Sequence, residues 1–248
     1  MSRCCRIVYT SYIPGTDELL RGYCDDVVDL SPLYAQNGDR VDTYKRMAAA
    51  ALAAALEAPP AAFALYGHPM LLSLPSSICL RAAPQLGIRV RTLVAVSAFD
   101  CLMSDLGLDP VGMGVQMHEA TDVLLYDRRL DPSIATVLWQ VGVLGTRLHA
   151  GAASSTPERL QMLVDHLLRF YPGTHPATLV ASSVVPDQPA EIHRTSVELL
   201  PEASSLISVA TTMYLPPAPD QAVVNPELAS RLTSREYLAS ITRPRDGA

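Results

Sequence analysis

AAFALYGHPMLLSLP, spanning Ala61 to Pro75, starts as a short apolar run of small residues and breaks at Tyr66-Gly67-His68-Pro69. Such a run predicts a buried parallel strand. The turn that ends it falls at the carboxyl edge of the sheet, where open α/β folds take their ligands. Gly67 lets backbone come close to a ligand, and Pro69 fixes the exit direction and removes one N–H donor. Upstream, Asp42 is placed to cap a helix from Thr43 to about Glu57. Its alanine-rich sequence has high helix propensity and stops at Pro59-Pro60. Earlier still, Arg6–Tyr9 (RIVY) and Val27–Leu30 (VVDL) read as strands, separated by the SYIPGT turn and a short helix over Asp17–Tyr23. Downstream, Ser76 to Leu86 looks helical until Pro84, Ile88–Val94 (IRVRTLV) alternates as a strand does, and Val96 to Leu106 reads as a loop entering a helix.

This order predicts a mainly parallel sheet with helices on both faces. Beyond residue 130, Ile134–Val141, Thr178–Val184 and Leu206–Leu215 (LISVATTMYL) read as strands. Thr156-Pro157-Glu158 opens an amphipathic helix with Leu160, Leu163, Leu167 and Phe170 on one face, and Asn225–Ala239 reads as helical. The expected organisation is α/β throughout, an N-terminal domain over residues 1–130 and a C-terminal domain over residues 131–248, with the ligand cleft between them.

A chain of 248 residues with 49% hydrophobic and 18% charged residues buries a sizeable core. Its net charge of −6 lacks the basic field that a generic nucleic-acid surface needs. The five cysteines (Cys4, Cys5, Cys24, Cys79, Cys101) have neither metal-ligand nor redox spacing, the histidines show no paired helical spacing, and no metal is expected. No charged-then-apolar leader and no bilayer-length apolar run is present. A reducing cytoplasm, with neither membrane nor nucleic acid as partner, is the expected setting.

Two constellations carry chemistry. Tyr34 lies in the polar loop Ser31–Arg40, and Arg40 and Tyr44 stand four apart around a helix start, where their side chains converge. A guanidinium beside phenols favours phenolate, lowering a pKa of about 10, and donates to a carbonyl whose oxygen gains charge. Such a group suits methylation of a weakly acidic amide nitrogen; it is equally what an exposed loop with ordinary aromatics looks like. The second is a set of strand ends: Tyr66 to Pro69, Val96 to Ala98, Trp139-Gln140-Val141 and Thr211 to Met213. Backbone groups there can hold an adenosine and its methionine tail, or be plain strand termini. The acidic trio Glu119, Asp122 and Asp127 reads as a solvated face.

LYAQNGDRVDTY (Leu33–Tyr44), LYGHP (Leu65–Pro69), VSAFDCLMSDLGLDP (Val96–Pro110), HEATD (His118–Asp122), VLWQVG (Val137–Gly142) and TTMYLPP (Thr211–Pro217) follow one another in this order. The set resembles the tetrapyrrole-methylase superfamily, and within it most closely the borosin-type peptide backbone α-N-methyltransferases. The resemblance implies two α/β domains with an S-adenosylmethionine cleft between them. It implies that Tyr34, Arg40, Tyr44 and Tyr66 act on the peptide amide. It further implies that Tyr66, Gly67, His68, Pro69, Val96, Ser97, Ala98, Gln140, Thr211, Thr212 and Met213 line the cofactor, with S-adenosylhomocysteine as product. A dimer is implied, either of identical chains or with a homologue. The terminal RPRDGA is no core peptide, so a precursor peptide supplied in trans is implied. Three departures stand out: the first strand with its glycine-rich turn has no counterpart, Met70 replaces the glycine after His-Pro, and Ala95 and Phe99 replace a glycine and an acidic residue. The competing readings are a non-catalytic homologue that partners an active methyltransferase, and C-methylation of a tetrapyrrole or other small acceptor.

Overall fold

In a computed structural model, which describes residues 4–36, 38–148, 155–185, 187–218 and 225–242, the strands assort into two sheets. The first joins β1 (Arg6–Thr10), β2 (Val27–Asp29) and β3 (Ala61–Leu65) in the order β2-β1-β3, all parallel. Side chains of β1 alternate between two cores, as a strand's period of two requires. Val8 packs with Met47, Ala51 and Ala54 of α2 (Arg40–Glu57), whose small residues allow close approach. Ile7 and Tyr9 pack on Leu20 of α1 (Thr16–Arg21) on the other face. Helix α2 starts three residues before the expected position because Asp39, not Asp42, is its cap: the Asp39 carboxylate accepts from the Val41 N–H. Asp42 instead occupies the first turn, where its charge suits the helix dipole. The polar loop expected at Ser31–Arg40 contains a 3-10 helix over Ser31–Gln36.

Helix α3 (Leu74–Ala82) passes into a 3-10 turn at Ala83–Leu86, as Pro84 dictates. The strand expected at Ile88–Val94 does not form. Residues 88–97 run without helix, turn or bend, and residues 89–96 are all exposed. The pattern is that of a strand, but a strand exists only through a ladder, and this run has no ladder partner among the described residues.

The second sheet holds β4 (Val115–Glu119), β5 (Ala135–Trp139), β6 (Pro176–Ala181), β7 (Glu191–Ser196) and β8 (Thr212–Leu215), ordered β4-β5-β8-β6-β7. Only β4 and β5 are parallel; the other pairings are antiparallel. On one face Leu138, Leu179, Met213 and Leu215 pack against Leu160, Leu163 and Leu167 of the amphipathic helix α7 (Pro157–Leu167), whose chain-order predecessors are α4 (Ala98–Leu106), α5 (Pro110–Met113) and α6 (Ala120–Leu125). The opposite face takes α4, with Leu102 against Val137, Trp139 and Tyr214. Sheet membership therefore changes between Leu65 and Val115.

The long strand expected at Leu206–Leu215 is cut to Thr212–Leu215, because Glu202–Leu206 coils as a 3-10 helix and the chain then turns, the Thr211 N–H donating to the Ser208 carbonyl at 3.1 Å. The helix expected at Asn225–Ala239 is two, α8 (Pro226–Thr233) and α9 (Arg235–Ile241), divided at Ser234, whose side chain accepts from the Tyr237 N–H. The RPRDGA terminus lies outside the described residues. Truncating Leu163, which is wholly buried, to alanine should cost about 2–5 kcal/mol. Leu168→Ala, at a half-exposed position just past the end of the same helix, should cost well under half as much. Urea midpoints of the two variants check the difference.

Candidate functional site

At the carboxyl end of the first sheet an aromatic cluster forms. Tyr34 comes from the 3-10 turn and Tyr44 from the first turns of α2, and their rings meet edge to face with centroids 6.2 Å apart. Tyr66, just beyond β3, packs edge-on against Tyr12 with centroids 4.5 Å apart. Tyr34, Tyr12 and Tyr44 each oppose ionisation of Tyr66, so all four phenols share one neighbourhood.

Electrostatics in this cluster run opposite to the expectation for an arginine beside phenols. Burial, reinforced by the neighbouring Tyr44, pushes the Tyr34 phenol up to about 12. Burial pushes Tyr66 up further still, although the residue as a whole is 42% exposed. For Tyr44, burial raises the pKa and Arg40 pulls it down more weakly. Desolvation of the charged form outweighs the guanidinium. The phenols are therefore neutral hydrogen-bond donors at physiological pH rather than phenolates.

Arg40 reaches across to the second sheet. Its Nη2 donates to the Thr146 carbonyl at 2.6 Å and its Nη1 to Gln140 Oε1 at 3.4 Å. The backbone reinforces this junction: the Arg40 N–H donates to the Arg147 carbonyl at 2.7 Å, Asp39 bridges Leu148, and the Arg147 guanidinium pairs with the Asp39 carboxylate at 2.9 Å. Gln140, held at φ 60°, turns the chain out of β5 toward Arg40.

The expected cofactor residues form two neighbourhoods. Gly67 sits at φ 75°, and a Cβ built on it would lie 3.7 Å from the Val96 carbonyl, so the YGHP and VSA loops run side by side. His68 has a structural task, its Nδ1 accepting from the Met70 N–H at 3.1 Å. Ser97 and Asp100 cap α4 reciprocally, which leaves the N–H groups of Ala98 and Phe99 without a partner among the described residues, at the positive end of that helix. In the second neighbourhood Gly142 lies so close to Ser208 that a side chain would overlap its carbonyl. Thr211 Oγ1 accepts from the Ser208 N–H at 2.8 Å, which closes the 208–211 turn that Gly142 lies against. Thr212 and Met213 belong to the ladder, and the Met213 side chain is buried in the main core, so only Thr211 of this trio stands at a strand mouth.

The structure thus gathers Tyr34, Arg40, Tyr44 and Tyr66, sets Arg40 on Gln140, and sets Gly67 on Val96. Sequence reasoning missed Tyr12, Thr146 and Asp39. Tyr12 lay in a stretch read only as a turn; its signal was position, two residues past a strand on the same edge as Tyr66. The acidic trio separates: Glu119 caps α6, accepting from the Asp122 N–H, and Asp127 pairs with Arg169. Among the described residues no three His, Cys, Asp or Glu side chains group as metal ligands do, and no helix is long and apolar enough to cross a membrane.

The family described as tetrapyrrole (corrin/porphyrin) methylases matches residues 3–189. A Coprinopsis marcescibilis protein described as a methyltransferase/ribosomally synthesized type I borosin cyclic peptide precursor is 31% identical over 230 residues, covering 92% of this chain and 57% of that one. The methyltransferase/ribosomally synthesized cyclic peptide omphalotin A precursor of Omphalotus olearius is 29% identical over 214 residues, 86% of this chain and 51% of its own. The chain spans about half the length of the curated relatives it matches. Among solved structures, a uroporphyrin-III-C-methyltransferase from Thermus thermophilus superposes with TM-score 0.57 at 19% identity, over 86% of this chain and 83% of that one. A diphthine synthase gives 0.54 at 16%, over 87% and 80%.

The neutral phenols have a stability signature. Between about pH 10 and about 12 the unfolded chain loses a proton that folded Tyr34 keeps. Stability is therefore full below pH 10 and falls as pH rises through that interval. Tyr34→Phe should flatten this fall, which urea midpoints taken across the alkaline range measure.

Proposed function

Because this chain belongs to the tetrapyrrole (corrin/porphyrin) methylase family, we propose that it is an S-adenosylmethionine-dependent methyltransferase that methylates backbone amide nitrogens of a peptide supplied by a separate chain. One observation carries the reading. Arg40 already grips an amide carbonyl, that of Thr146, at 2.6 Å, in the neighbourhood of neutral phenols. A guanidinium has five N–H donors, so Arg40 can keep Thr146 and Gln140 and offer another N–H to a substrate carbonyl. The names of the relatives, which pair a methyltransferase with a peptide precursor in one protein, support the substrate class.

In this reading the guanidinium draws charge onto the amide oxygen and so acidifies the N–H. The phenols of Tyr34, Tyr44 and Tyr66, being protonated, donate to that oxygen as it gains charge, and the amide proton leaves through water to solvent, so that amide and sulfonium become N-methyl amide, thioether and one proton. S-adenosylmethionine supplies the methyl group, on a sulfonium that leaves as a neutral thioether. The N–H groups of Ala98 and Phe99 suit its carboxylate, the backbone at Tyr66–Pro69 and Val96–Ala98 suits its body, and Gln140 with Thr211 forms the far wall, behind which Thr212 and Met213 pair in the sheet. Ring-carbon methylation of a tetrapyrrole has no use for an arginine on an amide carbonyl. A homodimer, or pairing with a homologue, in the cytoplasm completes the proposal.

A second reading, a non-catalytic homologue that partners an active methyltransferase, is favoured by Met70 after His-Pro, a bulky side chain beside the cofactor loops. Calorimetric titration with S-adenosylhomocysteine separates the two: binding supports the enzyme, and its absence from a folded protein supports the partner. Given binding, Tyr44→Phe should slow methyl transfer to a peptide, followed by mass spectrometry, by about 10²-fold, while S-adenosylhomocysteine affinity stays within about twofold. Equal losses in both would remove Tyr44 from the substrate side of the site.

A further inference from the structure

The cysteines show no redox spacing along the chain, yet the fold brings two of them together. Strands β1 and β2 pair in parallel from Ile7 opposite Val27, where the Ile7 N–H donates to the Asp26 carbonyl at 2.9 Å. One residue back, the Arg6 guanidinium reaches the Asp26 carboxylate at 2.8 Å, so the two chains stay side by side below the ladder. Each then bends once, at Cys5 and at Asp25. In an unbroken strand Cys4 would share a face with Arg6 and Val8. The bend turns the Cys5 N–H to the Pro60 carbonyl and shifts that alternation by one residue. Cys4 therefore packs on the α1 side, against the cluster of Ile7, Tyr9, Leu20 and Val27, and Cys24 packs against the same cluster. Continued back through the two bends, the pairing of Ile7 with Val27 sets Cys4 opposite Cys24.

Residues opposite one another on neighbouring strands lie about 4.8 Å apart, inside the span of about 4.4–6.8 Å between Cα atoms that a disulfide bridges. Both thiols are free and half-buried, and Cys24 Sγ faces the Asp26 carbonyl at 3.4 Å, a weak contact. The other candidates differ. Burial pushes the Cys79 thiol up to about 11 and raises that of Cys101 on α4, whereas Cys5 is exposed. We propose that Cys4 and Cys24 form a reversible disulfide in the folded chain, a redox-controlled staple across the amino ends of β1 and β2. The oxidant is a low-molecular-weight disulfide such as oxidised glutathione. One cysteine thiolate attacks a sulfur of it, giving a mixed disulfide and expelling one small thiolate. The second cysteine attacks the protein sulfur of that bond and expels the other. The two cysteines give up two electrons and two protons, and the oxidant leaves as two thiols. The staple closes a loop over residues 4–24 and so constrains the unfolded chain. It also ties down β2, a three-residue edge strand. Tyr12 follows β1 and Tyr34 follows β2, so the bond fixes the far ends of the two strands that deliver these phenols. Its formation does not depend on methyl transfer.

Tryptic mapping of the full chain tests it. The folded protein is held in excess oxidised glutathione, blocked with N-ethylmaleimide and digested without reduction. The expected product is the fragment Cys4–Arg6 joined to Gly22–Arg40, which dithiothreitol separates again. Cys4→Ser and Cys24→Ser should each abolish the joined fragment, and Cys5→Ser should leave it. A joined fragment that survives in Cys4→Ser would put the bond on Cys5 and overturn the proposal. So would glutathione adducts without a bridge, a bridge that links two chains on a non-reducing gel, or no bridge in excess oxidant. A second measurement needs no variant. Oxidation should raise the thermal midpoint of the unaltered protein by at least about 5 °C, and dithiothreitol should restore the original value. A midpoint that stays or falls on oxidation would mean that the strands part to make the bond, and would overturn the pairing of Cys4 with Cys24 in the native sheet.

Discussion

The guanidinium of Arg40 stands where two sheets meet, and the geometry of the site depends on it. Helix α2 lies against the first sheet and is positioned by Val8, Met47, Ala51 and Ala54. Its first residue reaches the far side of the cleft to hold Thr146 and Gln140. Hydrogen bonds from a charged donor are roughly twice as strong as neutral ones, and a planar guanidinium fixes direction as well as distance. The register of α2 thus becomes the register of the cleft. The cap at Asp39 sets where the helix starts, and the same residue bridges Leu148 and pairs with Arg147, so one carboxylate ties helix geometry to the closure between sheets.

The phenol cluster illustrates a contest between two familiar forces. A nearby cation favours phenolate, and burial disfavours it; at Tyr44 burial wins over Arg40, and at Tyr34 and Tyr66 burial acts together with the neighbouring phenols. Packing several phenols together adds to the cost, since each would-be anion raises the others. A cluster that resists ionisation is suited to giving hydrogen bonds, which changes the chemistry expected of it from base to donor.

Much of the fold was legible in the sequence because its signals are local. The small-residue run ending in YGHP became β3, the alanine-rich stretch became α2, and the Leu160/Leu163/Leu167 stripe became the helix that seals the main core. The failures share a cause, which is that pairing is not local. Ile88–Val94 has the alternation of a strand and no neighbour to pair with among the described residues, whereas Glu191–Ser196, with little apolar pattern, becomes β7 because β6 runs antiparallel beside it. In the site, the convergence of Arg40 with Tyr44 followed from helix spacing, whereas Tyr34 reaches Tyr44 from the separate 3-10 helix. The contacts of Arg40 with Gln140 and Thr146, about a hundred residues away in the chain, did not follow from spacing. The neutrality of the phenols required knowing what surrounds them, and only the folded chain holds that information.

Trp139 is the one tryptophan in the sequence. It is buried against Leu102, Val137 and Tyr214 at the end of β5, one residue before the Gln140 turn. Indole emission responds to the polarity and packing around the ring, so this protein carries a built-in optical reporter at the turn between its main sheet and its cleft. Light absorbed at that single ring would register a rearrangement of the turn without any label being attached.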